Sequence, residues 1–278
     1  MTYRMGTAAL AGAALVLAAP MALAQTKTTN QGITDAEIVV GTHQDLSGPI
    51  KGWGVSVANG MKMAADEINA AGGIQGRKIR LIVEDSGYDP KRAVLATQKL
   101  IEKDQVFSMV GPMGSPTVLA AQDIVLDAGV TQLFPLTAAE FTFKLDPNKP
   151  QDRLKFNNLP PYIASTRAAL KYMIETKHSK KPCIMHQDDE YGKNVLDGFT
   201  AQLAAMKIER GTVTSYKRGA SDFSAQVARM KADGCDLVVL GTVIRETIGA
   251  MTEAKKLGWA VVFLGATPDR RARGAGTR

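Results

Sequence analysis

The stretch EIVVGTHQDLSGPIKGWGVSVANGMKMAADEINAAGGIQGRKIRLIVE, residues 37–84, decides the fold. It opens on a β-type apolar run, Glu37 to Thr42. Trp53, Val57, Met61, Ala64 and Ile68 then recur at spacings of three or four, the period of a helix that buries one stripe. Gly72-Gly73 stops that helix, because glycine takes the left-handed backbone of a helix C-terminus without strain. Lys78 to Glu84 returns to the β pattern. Strand, amphipathic helix and strand together form the repeating unit of a parallel sheet, whose neighbours need a helical crossover.

Outward from this unit the alternation continues. Strands are expected at Val106 to Val110 and Val130 to Phe134, and again at Pro182 to His186, Gly211 to Ser215, Asp236 to Leu240 and Val261 to Leu264. Asp89-Pro90 and Ser115-Pro116 each read as an N-cap followed by proline at the first helical position. The helices they open carry Val94, Thr97 and Ile101, and Val118, Ala121 and Val125. Further helices are expected at 163–176, 191–206, 221–232 and 245–257. The segment Ala138 to Pro161 breaks the rhythm with Pro147, Pro150, Pro160 and Pro161 and a charged run. It reads as a connection, which divides the chain near residue 157. The expected fold class is α/β: two Rossmann-like lobes with parallel sheets, over residues 25–157 and 158–267.

Residues 1–24 read as a signal peptide. Arg4 supplies the positive start, Ala8 to Ala19 the apolar stretch, and Ala22-Leu23-Ala24 a small-x-small cleavage site before Gln25. The apolar stretch is shorter than the roughly 20 residues that span a bilayer. With no cysteine near residue 24, the expectation is a soluble exported protein. The formal charge of +7 is concentrated at one end, where Arg270, Arg271, Arg273 and Arg278 face only Asp269. Without that tail and Arg4 the body is nearly balanced, so nucleic-acid and membrane-surface binding are not indicated. Cys183 and Cys235 each begin an expected strand. In an oxidising compartment they pair if those strands are neighbours and otherwise remain core thiols; the sequence leaves both open.

Several stretches, in order and at these spacings, resemble the branched-chain amino acid binding proteins, which have the type I periplasmic binding fold. They are Leu46-Ser47-Gly48-Pro49, Trp53-Gly54, Asn59-Gly60, Asp66 to Ile74, Glu84-Asp85, Asp89-Pro90, Val110-Gly111 with Ser115, and Asp188 to Tyr191-Gly192. The resemblance covers residues 36–265. It implies a periplasmic, monomeric solute-binding subunit of an ABC importer, with an inner-membrane permease as partner and a small carboxylate-bearing solute as cargo. A ligand-sensing receptor module of the same fold, or an inactive fragment, is the alternative.

Ligands of open α/β sheets bind beyond the carboxyl ends of the strands. Trp53, Ser115 and Thr137 follow strands of the first half, and Tyr191, Thr242 and Thr267 follow strands of the second. All six are therefore expected at one cleft, together with the adjoining Gly114, Pro116, Thr117 and Val243. Ser115 and the free amides of its helix start suit a carboxylate, although Pro116 removes one donor. The plain alternative is that Ser115 caps its own helix. Trp53 and Tyr191 are expected to wall the cleft. Leu136, Thr137 and Ala138 resemble the loop that holds the ligand's head group in the family, with the hydroxyl one position out of place.

One departure concerns charge. Amino-acid-binding members of the family place an acidic residue where Thr267 stands, against the ligand ammonium. Its absence favours a carboxylate without an α-amino group, unless Asp188, Asp189, Glu246 or Asp269 supplies the charge. The second departure is the ending. The apolar pattern stops after Gly265, so residues 268–278 read as an aberrant basic tail and the second lobe is expected to be incomplete. No GxGxxG, P-loop or GxSxG motif occurs, and His43, His178 and His186 are too scattered for metal ligation. No cofactor and no catalytic residue is expected.

Overall fold

The computed structural model describes residues 31–266. Two parallel sheets carry the fold. The first contains β1 (Glu37–Gln44), β2 (Lys78–Asp85), β3 (Ser108–Val110), β4 (Thr131–Leu133) and β5 (Lys155–Phe156), in the order β2-β1-β3-β4-β5. The second contains β6 (Pro182–Gln187), β7 (Val213–Tyr216), β8 (Leu237–Gly241) and β9 (Val262–Gly265), in the order β7-β6-β8-β9. In both sheets the order reverses beside the first strand, which opens a crevice at the carboxyl ends.

The crossover helices of the first half are α1 (Lys51–Ala70), α2 (Pro90–Gln98, continued by a π turn, Lys99–Lys103) and α3 (Ser115–Asp127). Those of the second half are α4 (Tyr162–Lys177), α5 (Glu190–Met206), α6 (Ser224–Ala232) and α7 (Ile244–Lys256). Every strand expected from the sequence is present, with ends shifted by a residue or two. The short edge strand β5 was not foreseen, because two residues carry no alternation. The start of α6 is also later than expected, at Ser224, where the Asp222 side chain accepts the Ser224 amide at 2.9 Å.

The core of the second half forms where apolar strands meet helix stripes. Ile184, Leu237 and Val239 pack with Leu170, Val195, Phe199 and Leu203. On the other face, Met185, Val238 and Leu240 pack with Val227, Met230 and Ala250. That second cluster contains a disulfide between Cys183 and Cys235, 52 residues apart in sequence with Cα atoms at 5.9 Å, which resolves the question left open above. Burial of Val118, Ala121 and Val125 follows the expected face of α3.

The stripe expected on α1 is corrected. Gly54 and Ala65 are its buried residues, whereas Trp53, Val57 and Met61 are half-buried and Ala64 and Ile68 are exposed. The reason is position: α1 leans on the edge strand β2. A trough of about 450 Å³ remains open there between Val55, Ala58 and Ala65 on the helix and Ile79, Leu81 and Val83 on the strand.

Candidate functional site

The loops after β3 and β4 are tied together by backbone bonds. Leu136 N–H donates to Pro112 O at 2.8 Å, and Gly114 N–H donates to Leu136 O at 3.3 Å. Gly114 holds φ +98°, and a Cβ there would stand 2.6 Å from both Thr117 Oγ1 and the Tyr88 ring. Only glycine fits so close to an aromatic ring in that conformation. α3 then starts at Ser115, with Pro116 in its first turn.

The expectation that Ser115 caps this helix is corrected: Gly114 is the cap residue and makes no side-chain cap bond. Being one residue inside the helix, Ser115 points its hydroxyl sideways to Thr137 Oγ1, at 2.7 Å. Thr137 Oγ1 also accepts the Ala139 amide at 3.2 Å, and both residues are buried. Thr117 spends its hydroxyl on the carbonyls of Met113 and Gly114. The first-turn amides at Ser115 and Thr117 are among the donors that a helix cannot satisfy itself, and they carry the positive end of its dipole.

Tyr162, at the start of α4, faces this group. Its amide donates to Ala138 O at 2.9 Å. Burial pushes its phenol up, partly opposed by the Ala138 backbone and by the hydroxyls of Thr137 and Ser115 beside it. The Tyr162 ring meets that of Tyr191 edge to face, with centroids 5.2 Å apart. Tyr191 in turn donates its hydroxyl to Thr242 O at 3.2 Å. Thr242 Oγ1 bonds Thr247 Oγ1, and Val243 is buried next to it. The half-buried Trp53 packs on the same cluster, which includes Tyr88, Tyr162, Tyr191 and Val243. Its indole Nε1 is buried without a partner among the described residues.

The structure brings Trp53, Leu136 and Ala138 from the first half into one cluster with Tyr191 and Val243 from the second, with Ser115 and Thr137 reaching it through Tyr162 and Thr242 through the Tyr191 hydroxyl; Gly114, Pro116 and Thr117 lie beside Ser115 at the start of α3. Thr267 and the segments expected to be a signal peptide and a basic tail lie outside the described residues. Asp189 caps α5, accepting the amides of Tyr191 and Gly192 at 3.0 and 3.3 Å. Burial raises its pKa against those bonds.

A second bridge between the halves was missed by sequence reasoning. Gln187, at the end of β6, donates Nε2 to Tyr88 Oη at 3.1 Å and to Asp189 Oδ2 at 2.5 Å. It accepts the Tyr216 hydroxyl on Oε1 at 3.3 Å. Tyr88 follows β2 and Tyr216 ends β7, so the rule that points to strand ends reaches them too. Nearby, Asn194 Oδ1 accepts the Glu140 amide across the same gap at 2.8 Å.

Comparison with known proteins agrees with the fold. A family model described as periplasmic binding protein matches residues 37–273. An amino acid binding protein of Pseudomonas aeruginosa is 27% identical over 246 residues, 87% of this chain and 64% of that protein. A Leu/Ile/Val-binding protein of Escherichia coli K12 is 29% identical over 265 residues, 94% of this chain and 66% of that protein. The chain therefore spans a little under two thirds of these relatives.

Among solved structures, the branched-chain amino acid transporter substrate binding protein LivJ of Streptococcus pneumoniae, in complex with isoleucine, superposes with a TM-score of 0.71. It is 26% identical, over 82% of this chain and 64% of that one. A possible leucine/isoleucine/valine-binding protein of Rhodopirellula baltica reaches 0.76 at 21% identity, over 83% and 62%, which speaks for the fold alone. With two parallel sheets of the type I periplasmic binding fold and a family match over most of its length, the chain belongs to the periplasmic binding protein family.

Proposed function

We propose that this chain captures a small carboxylate-bearing solute between its two sheets in the periplasm and, as a monomer, delivers it to an ABC permease without any chemical step. The observation that carries the reading is the hydroxyl cluster of Ser115, Thr137 and Tyr162 at the N-terminus of α3, facing Tyr191 and Thr242 of the other half. A helix start with unsatisfied amides and two hydroxyls attracts a carboxylate. The half-buried Trp53 gives up exposed apolar area when the halves close on the solute, with the buried Tyr191, Ala138 and Val243 and the half-buried Leu136 packed around it. Hinge closure of this kind presents a distinct closed form to a membrane partner.

Two further observations support the reading. The relative from Escherichia coli is named for leucine, isoleucine and valine binding, and the matched Streptococcus pneumoniae structure holds isoleucine. The Cys183–Cys235 disulfide suits an oxidising compartment outside the cytoplasm.

Thermal-shift titration of the purified chain with branched amino acids, aliphatic acids and aromatic acids tests the proposal. A solute that binds only the native state raises the melting temperature. At a hundredfold excess over Kd the gain is about 2.7 kcal/mol. No shift with any carboxylate, beside a cooperative melt of the unliganded chain, overturns it.

A further inference from the structure

Among the described residues the chain passes from the first half to the second once, between β5 and α4. β5 is one edge of the first sheet, and β2, the strand that leads to Tyr88, is the other. Three strands lie between them, so the two edges are roughly 19 Å apart at the usual strand spacing. A hinge motion about the single crossover therefore carries the β2 side through the longer arc. A tie between the halves on that side has the greater leverage, and no covalent link supplies it among the described residues.

The bond from Gln187 Nε2 to Tyr88 Oη, at 3.1 Å, is such a tie. Both side chains are buried, Tyr88 at 4% and Gln187 at 1% exposure. Each is held firmly by its own half. Gly87 and Tyr88 take left-handed backbone in succession, at φ +57° and +58°, in a turn closed by the Asp89 amide on Ser86 O at 3.0 Å. That conformation is unfavourable for tyrosine and persists only where the surroundings enforce it; here the ring lies against Gly114, where a Cβ would stand 2.6 Å away. On the other side, Gln187 Nε2 also donates to Asp189 Oδ2, and Oε1 accepts the Tyr216 hydroxyl. A glutamine amide has two N–H donors, and both are used. The tie thus engages the two halves and keeps no donor for a solute. The other polar tie, from the Glu140 amide to Asn194 Oδ1 at 2.8 Å, involves the segment between β4 and β5, on the crossover side.

We propose that the Tyr88–Gln187 hydrogen bond is a clasp: it holds the cleft shut on the side away from the crossover, and so sets how long a captured solute stays without choosing which solute that is. The inference rests on the solute-capture reading above. A solute enclosed between the halves leaves only after they part, so loss of the clasp speeds release and weakens affinity by the same factor, while entry into the open form keeps its rate.

Small-angle X-ray scattering of the full chain without solute, and stopped-flow release of L-leucine and of 4-methylpentanoate, test the clasp. Tyr88→Phe keeps the ring against Gly114 and removes only the hydroxyl; Gln187→Met keeps the bulk of the side chain and removes the amide. Each variant is expected to have a larger radius of gyration than the wild type. Each is also expected to release either solute about 2- to 12-fold faster, the worth of one hydrogen bond. Tyr88→Phe is expected to add nothing in the Gln187→Met background, because both remove the same bond. An unchanged radius in both variants, or effects that add in the double variant, overturns the clasp and leaves solute capture standing. So does release that quickens for one solute and not the other, since Tyr88 would then be a solute contact. If the wild type binds neither solute, the capture reading falls with these ligands, and the radius of gyration decides the clasp by itself.

Discussion

Ser115 Oγ and Thr137 Oγ1 stand 2.7 Å apart, both buried, one at the start of α3 after β3 and the other in the loop after β4. The pair exists because Gly114 takes the cap position and leaves the serine one residue inside the helix. A hydroxyl pair of this kind can turn both hydrogens toward an incoming anion.

Removing that pair should therefore affect binding more than folding. Ser115→Ala leaves Thr137 its bond from the Ala139 amide, so the expected loss of stability is about 1 kcal/mol. Carboxylate affinity is expected to fall by roughly tenfold or more, as for loss of a hydrogen bond to a charged group. Calorimetry on the variant, beside a melt of the unliganded protein, distinguishes the two effects; unchanged affinity removes Ser115 from the site.

Gly114→Ala tests whether the close approach to Tyr88 is obligatory. The added methyl would enter 2.6 Å from the Tyr88 ring at a backbone angle that side chains avoid. A loss of about 1–3 kcal/mol is expected, together with disturbance of the Tyr88 bond to Gln187. Near-ultraviolet circular dichroism and thermal melting read both; an unaltered aromatic spectrum at full stability contradicts the geometry.

Reduction of Cys183–Cys235 should loosen the second half. For a loop of 52 residues the chain-entropy model gives about 4 kcal/mol, and native disulfides commonly deliver about 2–5 kcal/mol. The double variant Cys183→Ser, Cys235→Ser is expected to melt lower by several degrees, and dithiothreitol should lower the melting point of the wild type but not of the variant. Equal melting with and without reductant would contradict this.

Asp85 gives a prediction for acid. Burial raises its carboxyl, but bonds from Ser47, the amides of Leu46 and Gly87, and Arg92 outweigh that and bring it down to about 2. Because the folded value lies below the unfolded one, the stabilisation is present in full above the ordinary carboxylate range and is lost as pH falls toward 2. At neutral pH, Asp85→Asn is expected to cost about 1–2 kcal/mol, allowing for solvent screening. Denaturant titrations of both proteins should converge between pH 4 and 2; a gap that stays constant places the effect elsewhere.

The strands and most helices were legible in the sequence because their cores are saturated on two faces. Ile184, Leu237 and Val239 leave little choice of environment, and Val195, Phe199 and Leu203 keep strict helical spacing. The pattern misled where an element sits at an edge: α1 shows the same periodicity as a buried helix, yet Ala64 and Ile68 meet water beside β2. Cap geometry was misread at Ser115, since serine before proline fits either the cap or the first helical position.

The strand-end rule made legible that Ser115, Thr137, Tyr191 and Thr242 adjoin at the candidate site. That rule names loops but not which side chains fill the gap between sheets. Tyr88, Gln187 and Tyr216 became visible only through their mutual hydrogen bonds, because a lone tyrosine or glutamine has no spacing to read. Glu246 was legible only as one of four acids able to supply a charge, because its burial and its unpartnered oxygen have no signature in the sequence.

The bond between Cys183 and Cys235 closes α5, β7 and α6 into a covalent ring. A protease that cuts one peptide link inside this ring does not release a fragment: the two cut ends belong to a molecule still joined through sulfur. Such a nicked protein would migrate as one band until a reducing agent is added, and only then as two.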